Sequence, residues 1–235
     1  MTMQGKTIVV TGGFGALGSA VAEGAIRRGA SVAALDYASA APADLAQRLG
    51  PNALIVGGFD LSLPHAAQRA MAEVTARFGR IDALLNIAGG FVWEKFADAA
   101  NAGAWDRMFA INLKTAVNAS RAALPYLLES GDGRIVNVGA QAAVHAPEGM
   151  GAYAASKAAV HRLTESLAAE LKLKGVTVNA VMPSIIDTPA NRAVMPDADF
   201  SRWVSPADLA AVILFLTSDE ARAVTGALIP VTGRV

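Results

Sequence analysis

The sequence predicts an α/β protein, a doubly wound parallel sheet of about seven strands with helices on both faces. Three observations predict it. Short β-branched runs alternate with longer amphipathic stretches along all 235 residues. The runs are apolar throughout, as strands covered on both faces are. The first of them leads straight into a glycine-rich turn that opens a helix.

In chain order, the first strand is expected at Thr7–Thr11, where TIVVT is β-branched at every position. A helix follows at Ala16–Arg28, then strands at Ser31–Leu35 and Leu54–Phe59. The next pair is a helix at Pro64–Phe78 and a strand at Ala83–Ile87. A long helix at Ala104–Glu129 precedes the strand Arg134–Val138, and a second long helix at Ala154–Lys174 precedes Thr177–Val181. The helix Pro206–Ser218 and the strand Ala227–Val231 close the chain. Helical connections of this length between strands are what parallel pairing requires. Residues Ser184–Ser205, rich in Pro, Asp and Asn, show no period and are expected to form a lid or substrate loop.

Composition narrows the function. With 53% hydrophobic residues, the chain can bury one large core, and residues 1–235 read as one domain. Twenty basic residues balance twenty acidic ones, so no overall field favours nucleic acid or an anionic membrane. There is no cysteine, and His65, His145 and His161 stand at no ligand-like spacing, so no metal site is expected. The N-terminus has no signal-peptide pattern, and no apolar run reaches the ~18 residues of a membrane span. A cytoplasmic protein acting on a small molecule is expected.

Gly13, Gly15 and Gly18 satisfy the spacing G-x-G-x-x-G within TGGFGALG. Between a strand and a helix this turn lets a pyrophosphate approach backbone amides at the positive end of the helix. Gly12, Phe14 and Leu17 belong to the same turn. Asp36 ends the second strand, near the ~20-residue interval at which a carboxylate meets the adenosine ribose. Its charge opposes a 2′-phosphate and no Arg or Lys lies in the turn to offset it, so NAD is the expected cofactor.

Tyr153 and Lys157 lie four residues apart on one helical face. A tyrosine hydroxyl, with an ordinary pKa near 10, is a poor acid or base at neutral pH. A neighbouring ammonium is expected to lower that value, so that Tyr153 can pass a proton while a nicotinamide passes a hydride.

These motifs together resemble the short-chain dehydrogenase/reductase family along nearly the whole chain. The family's T-G-x-x-x-G-x-G falls on Thr11 to Gly18, with Ala16 in place of the middle glycine. Its N-A-G motif resembles Asn86, Ala88 and Gly89 with Ile87 inserted, and its structural aspartate matches Asp60, beside Leu61. The resemblance implies a Rossmann fold, catalytic roles for Tyr153, Lys157 and Asn112, and nicotinamide contacts at Pro183 and Thr188. It also implies a homodimer or homotetramer built on the two long helices.

The departure is Ala140, thirteen residues before Tyr153, where the family has serine. The stretch from Gly139 through Ala140, Ala142 and Ala143 to Met150, together with Ala158–His161 and Asp187–Trp203, is similar to the dihydropteridine reductase branch of the family. Trp93, Gln141 and Met150 join Ala140 as candidate substrate contacts, and Phe91 could stack on a flat ring as readily as pack beneath a loop. His145 reads as a solvated loop residue, His161 as a structural residue at a subunit contact, and Arg192 as a solvated arginine. Three functions fit: an NADH-dependent reductase of a conjugated heterocycle such as quinonoid dihydropterin, a carbonyl or hydroxyl oxidoreductase such as a 3-oxoacyl thioester reductase, and a dinucleotide sensor without chemistry. A sensor has no use for Tyr153, Lys157 and Asn112 together.

Overall fold

The computed structural model describes residues 2–98 and 103–235. Its elements run β1 (Thr7–Thr11), α1 (Ala16–Ile26), β2 (Ser31–Leu35), α2 (Leu45–Leu49), β3 (Ala53–Val56), α3 (Pro64–Phe78), β4 (Ala83–Asn86), α4 (Gly103–Met108), α5 (Thr115–Glu129), β5 (Gly133–Val138), α6 (Gly151–Leu171), β6 (Val176–Pro183), α7 (Pro189–Val194), α8 (Pro206–Thr217) and β7 (Leu228–Val231). The strands form one seven-stranded sheet in the order β3-β2-β1-β4-β5-β6-β7, parallel at every pairing. This is the predicted Rossmann-like fold.

Alternate residues of each strand feed two cores. On one face Ile8, Val10, Val32 and Ala34 pack with Val21 of α1 and Leu214 of α8. On the other, Val9, Leu35 and Leu84 pack with Met71 of α3, Leu127 of α5 and Leu171 of α6. Burial of apolar surface on both faces is the main term holding the layers together. The strand order reverses between β1 and β4, and there the loops at the carboxyl edge part to leave a crevice, the usual ligand position in such sheets.

Several boundaries differ from the sequence-based expectation. The strand expected to reach Phe59 stops at Val56, because Gly57 lies so close to the backbone of Ala38 that no side chain fits and Gly58 takes a positive φ of 83°. The single helix expected over Ala104–Glu129 is divided by a wider, π-type turn at Phe109–Lys114. Such turns gather at functional sites, and this one carries Asn112. The short α2, absent from the prediction, buries Leu45 and Leu49 in the core around α1. The expected loop at 184–205 contains α7, capped by the Thr188 hydroxyl, and is pinned at its ends by pairing of Ile186 with Val204. Among the described residues no helix is long and apolar enough to cross a membrane.

Candidate active site

A cleft of about 1970 Å³ opens along the carboxyl edge of the sheet. Gly12, Phe14, Gly15, Leu17, Gly18, Asp36, Asp60, Leu61, Ala88, Gly89, Ala140, Gln141, Trp93, Met150, Tyr153, Lys157, Pro183 and Thr188 all line it. Gly13 is not among the lining residues and packs instead against Ala34 of β2. Asn112 is buried behind Gly89 and Gly90.

The glycine turn is built for close approach. Gly12 has φ +66° and a Cβ there would lie 2.9 Å from the Ala88 backbone. At Gly18 a Cβ would come within 2.1 Å of the Gly12 carbonyl oxygen, and at Gly13 within 2.9 Å of the Ala34 backbone. The turn is thereby pressed against both β2 and the β4 end, leaving an open face before the first turn of α1. No side chain caps that helix, so its first amides remain available to an anion. Asp36 accepts from the Phe14 N–H and the Ala38 N–H, both at 3.0 Å, which ties the β2 end to the turn. Asp60 accepts from the backbone and hydroxyl of Ser62, and Asn118 donates to the Leu61 and Ser62 carbonyls, fixing the adjoining wall. A cradle without side chains, free helix-end amides and a carboxylate at the next strand end suit a dinucleotide.

At the other end, the first turns of α6 bring Tyr153 and Lys157 to β5. Lys157 is buried and donates from Nζ to the Val138 carbonyl at 2.8 Å. Burial pushes its ammonium down to about 8, and burial likewise pushes the Tyr153 hydroxyl up to about 12. The expectation that Lys157 lowers the tyrosine pKa is therefore not met in the free protein, where loss of water around the phenolate dominates. Tyr153 is held as the protonated acid. Asn112 accepts from Gly90 N–H at 2.9 Å, and its Nδ2 lies 3.1 Å from the Gly90 carbonyl and 3.0 Å from the Ser156 hydroxyl. These bonds draw the π-type turn onto the β4 loop and the tyrosine helix at once.

Ala140, where the family resemblance expects serine, is 3% exposed and carries a methyl group in place of a hydroxyl. Its N–H points to Nε2 of His161 at 3.4 Å, and His161 also fills the space a side chain at Gly139 would need. His161 is 3% exposed within this chain, so its expected place at a subunit contact is corrected to a buried one beneath the β5 end.

The family follows from comparison with known proteins. The model of the short chain dehydrogenase family matches residues 6–199. The chain belongs to this family. The 2-(S)-hydroxypropyl-CoM dehydrogenase 3 of Xanthobacter autotrophicus is 34% identical over 98% of this chain and 96% of its own length. The 3-oxoacyl-(acyl-carrier-protein) reductase FabG of Thermotoga maritima is 31% identical over 99% of this chain and 98% of its own. A short-chain type dehydrogenase/reductase from Mycobacterium ulcerans superposes with a TM-score of 0.90, at 29% identity, covering 100% of this chain and 90% of the other. None of these relatives is named a dihydropteridine reductase. As a short-chain dehydrogenase, the protein is an NAD(P)-dependent oxidoreductase.

Around this core the short-chain dehydrogenase shows contacts that its sequence did not announce. The Thr11 hydroxyl accepts from the N–H groups of Ile87 and Ala88, at 3.0 and 3.1 Å, and so holds the two strand ends at the switch point. Phe91 meets Tyr153 edge-on with ring centroids 5.0 Å apart. Trp93 donates to the Glu148 carbonyl at 3.1 Å, tethering the loop that leads to Met150 and α6. Arg192 is exposed, as expected, and also makes a paired contact with Asp187 and lies over the Phe200 ring. Only the threonine of the glycine motif offered a sequence signal for any of these.

Proposed function

We propose that the protein is an NADH-dependent oxidoreductase that interconverts a carbonyl and a hydroxyl group on a small substrate. The observation that carries this reading is a half-buried, protonated Tyr153 near Lys157 at the end of a cleft whose other end suits a dinucleotide. The names of the relatives, dehydrogenases and reductases of hydroxyl or oxo compounds, support it.

When bound, a nicotinamide dinucleotide supplies or accepts the hydride. The chain supplies the rest. The amides of the turn from Gly12 to Gly18 hold a pyrophosphate, and Asp36 takes the ribose hydroxyls and disfavours a 2′-phosphate. Tyr153 gives its proton to the substrate oxygen as negative charge develops there. The Lys157 ammonium, aimed by the Val138 carbonyl, offsets the charge left on the phenolate. Asn112 keeps the β4 loop, the π-type turn and α6 in register. With Ala140 in the serine position, Tyr153 and Gln141 are among the side-chain donors that line the cleft.

A second reading rests on that alanine. A conjugated heterocycle such as quinonoid dihydropterin needs less help from an oxyanion donor, and Phe91 and Trp93 offer aromatic faces beside Tyr153. Steady-state oxidation of NADH with acetoacetyl thioester, and separately with chemically generated quinonoid dihydropterin, tests the two. The carbonyl reading expects turnover of the thioester. Turnover of the pterin alone would replace it with the second reading.

A further inference from the structure

Four charged side chains line the cleft: Asp36, Asp60, Arg107 and Lys157. Asp36 and Asp60 lie at the dinucleotide end and are engaged by local N–H and hydroxyl groups. Lys157 is buried against Val138. Arg107 alone among the four has no hydrogen bond, ion pair or ring contact with any described residue.

Its position is set by the helix that carries it. Arg107 and Ile111 both line the cleft, and Ile111 presses on Gly90 next to Phe91. The neighbouring Trp105 packs beside Gly151, two residues before Tyr153. Arg107 is exposed and lines the cleft together with Ala110 and Ile111 of the π-type turn that follows α4. The same cleft has an apolar, partly aromatic lining that includes Phe91, Trp93, Val144, Pro147, Met150 and Met195. An unpaired guanidinium in a cleft with an apolar, partly aromatic lining suits a ligand with a carbon body and an anionic oxygen group, since arginine presents a planar fork to carboxylate or phosphate.

We infer that Arg107 is a specificity-determining residue, and that the substrate of this cleft carries a carboxylate or phosphate group at the end away from its reacting atom. The inference rests on reading this end of the cleft as the substrate site. Calorimetric titration of the protein, saturated with NAD⁺, with benzoate, phenyl phosphate and benzamide tests it without any turnover. At least one anion is expected to bind more tightly than benzamide by about fivefold or more, the scale of one partly exposed ion pair. Arg107→Gln is expected to abolish that preference while NADH affinity stays unchanged, and the tighter anion names the group. Equal binding of all three probes, no binding of any, or a preference that survives Arg107→Gln would overturn the inference. A matching loss of NADH affinity would overturn it too, by assigning Arg107 to the dinucleotide. Absence of carbonyl turnover in the assay above bears on the reaction alone and leaves this result standing.

Discussion

The backbone N–H of Ala140 donates to Nε2 of His161 at 3.4 Å, so the alanine that replaces the family's serine is held from below by a buried imidazole. In that role the ring is neutral, with its proton on Nδ1. Burial, with the charges of Arg162 and Lys157, lowers its pKa below the ordinary 6.5, while Glu165 opposes the shift.

The first prediction concerns stability. A base whose folded pKa lies below its unfolded value binds fewer protons when folded, so its contribution is lost as pH falls below about 6.5. Thermal melts of the wild type should fall on acidification through that range more steeply than those of His161→Gln. His161→Leu should cost about 1–3 kcal/mol by leaving the Ala140 N–H buried without an acceptor. Equal melting profiles for wild type and His161→Gln would show that the imidazole does not matter there.

This contact also shows what a sequence conceals. Strand alternation, the glycine turn, Asp36 and the Tyr153–Lys157 pair were legible because each rests on spacing within one element or one turn. His161 was misread because its partner is 21 residues away, across the β5–α6 connection. The break in the helix at 109–114 was invisible for the same reason, since Asn112 bonds to Gly90, 22 residues earlier. Arg107 stands out only once the fold shows which cations are paired.

The second prediction concerns the cofactor. NADH should bind more tightly than NADPH, because Asp36 repels a 2′-phosphate. Asp36→Ala should narrow the gap mainly by weakening NADH, and the loss should include some loosening of the turn, whose Phe14 N–H bonds to this carboxylate. Equal affinities of the two cofactors for the wild type in fluorescence titration would refute the assignment.

The third concerns pH. Lys157 is charged below about 8, and Tyr153 keeps its proton until about 12. Reduction needs the tyrosine proton and the ammonium together, so kcat/KM should be level on the acid side and fall about tenfold per pH unit above Lys157's pKa. Tyr153→Phe should lower turnover by ~10²-fold or more while NADH still binds. A flat profile across the alkaline range would separate Lys157 from the proton transfer.

The fourth concerns the missing hydroxyl. Ala140 lines the cleft with Tyr153, and its backbone is already fixed by His161, so Ala140→Ser adds a donor at an established position. One well-placed donor to a developing oxyanion is worth about 2.7 to 4 kcal/mol. If the native substrate is a carbonyl compound for which Tyr153 and Gln141 already suffice, the wild type should reduce simple ketones substantially and Ala140→Ser should change little. If it is a conjugated heterocycle, the wild type should be poor on ketones and the serine variant should gain, while activity on the heterocycle holds or falls. Ketone and dihydropterin assays of both proteins at saturating NADH decide the matter. The carbonyl reading would be lost on a large gain from a negligible base, because that result would mean the unmodified site lacks a donor its reaction requires.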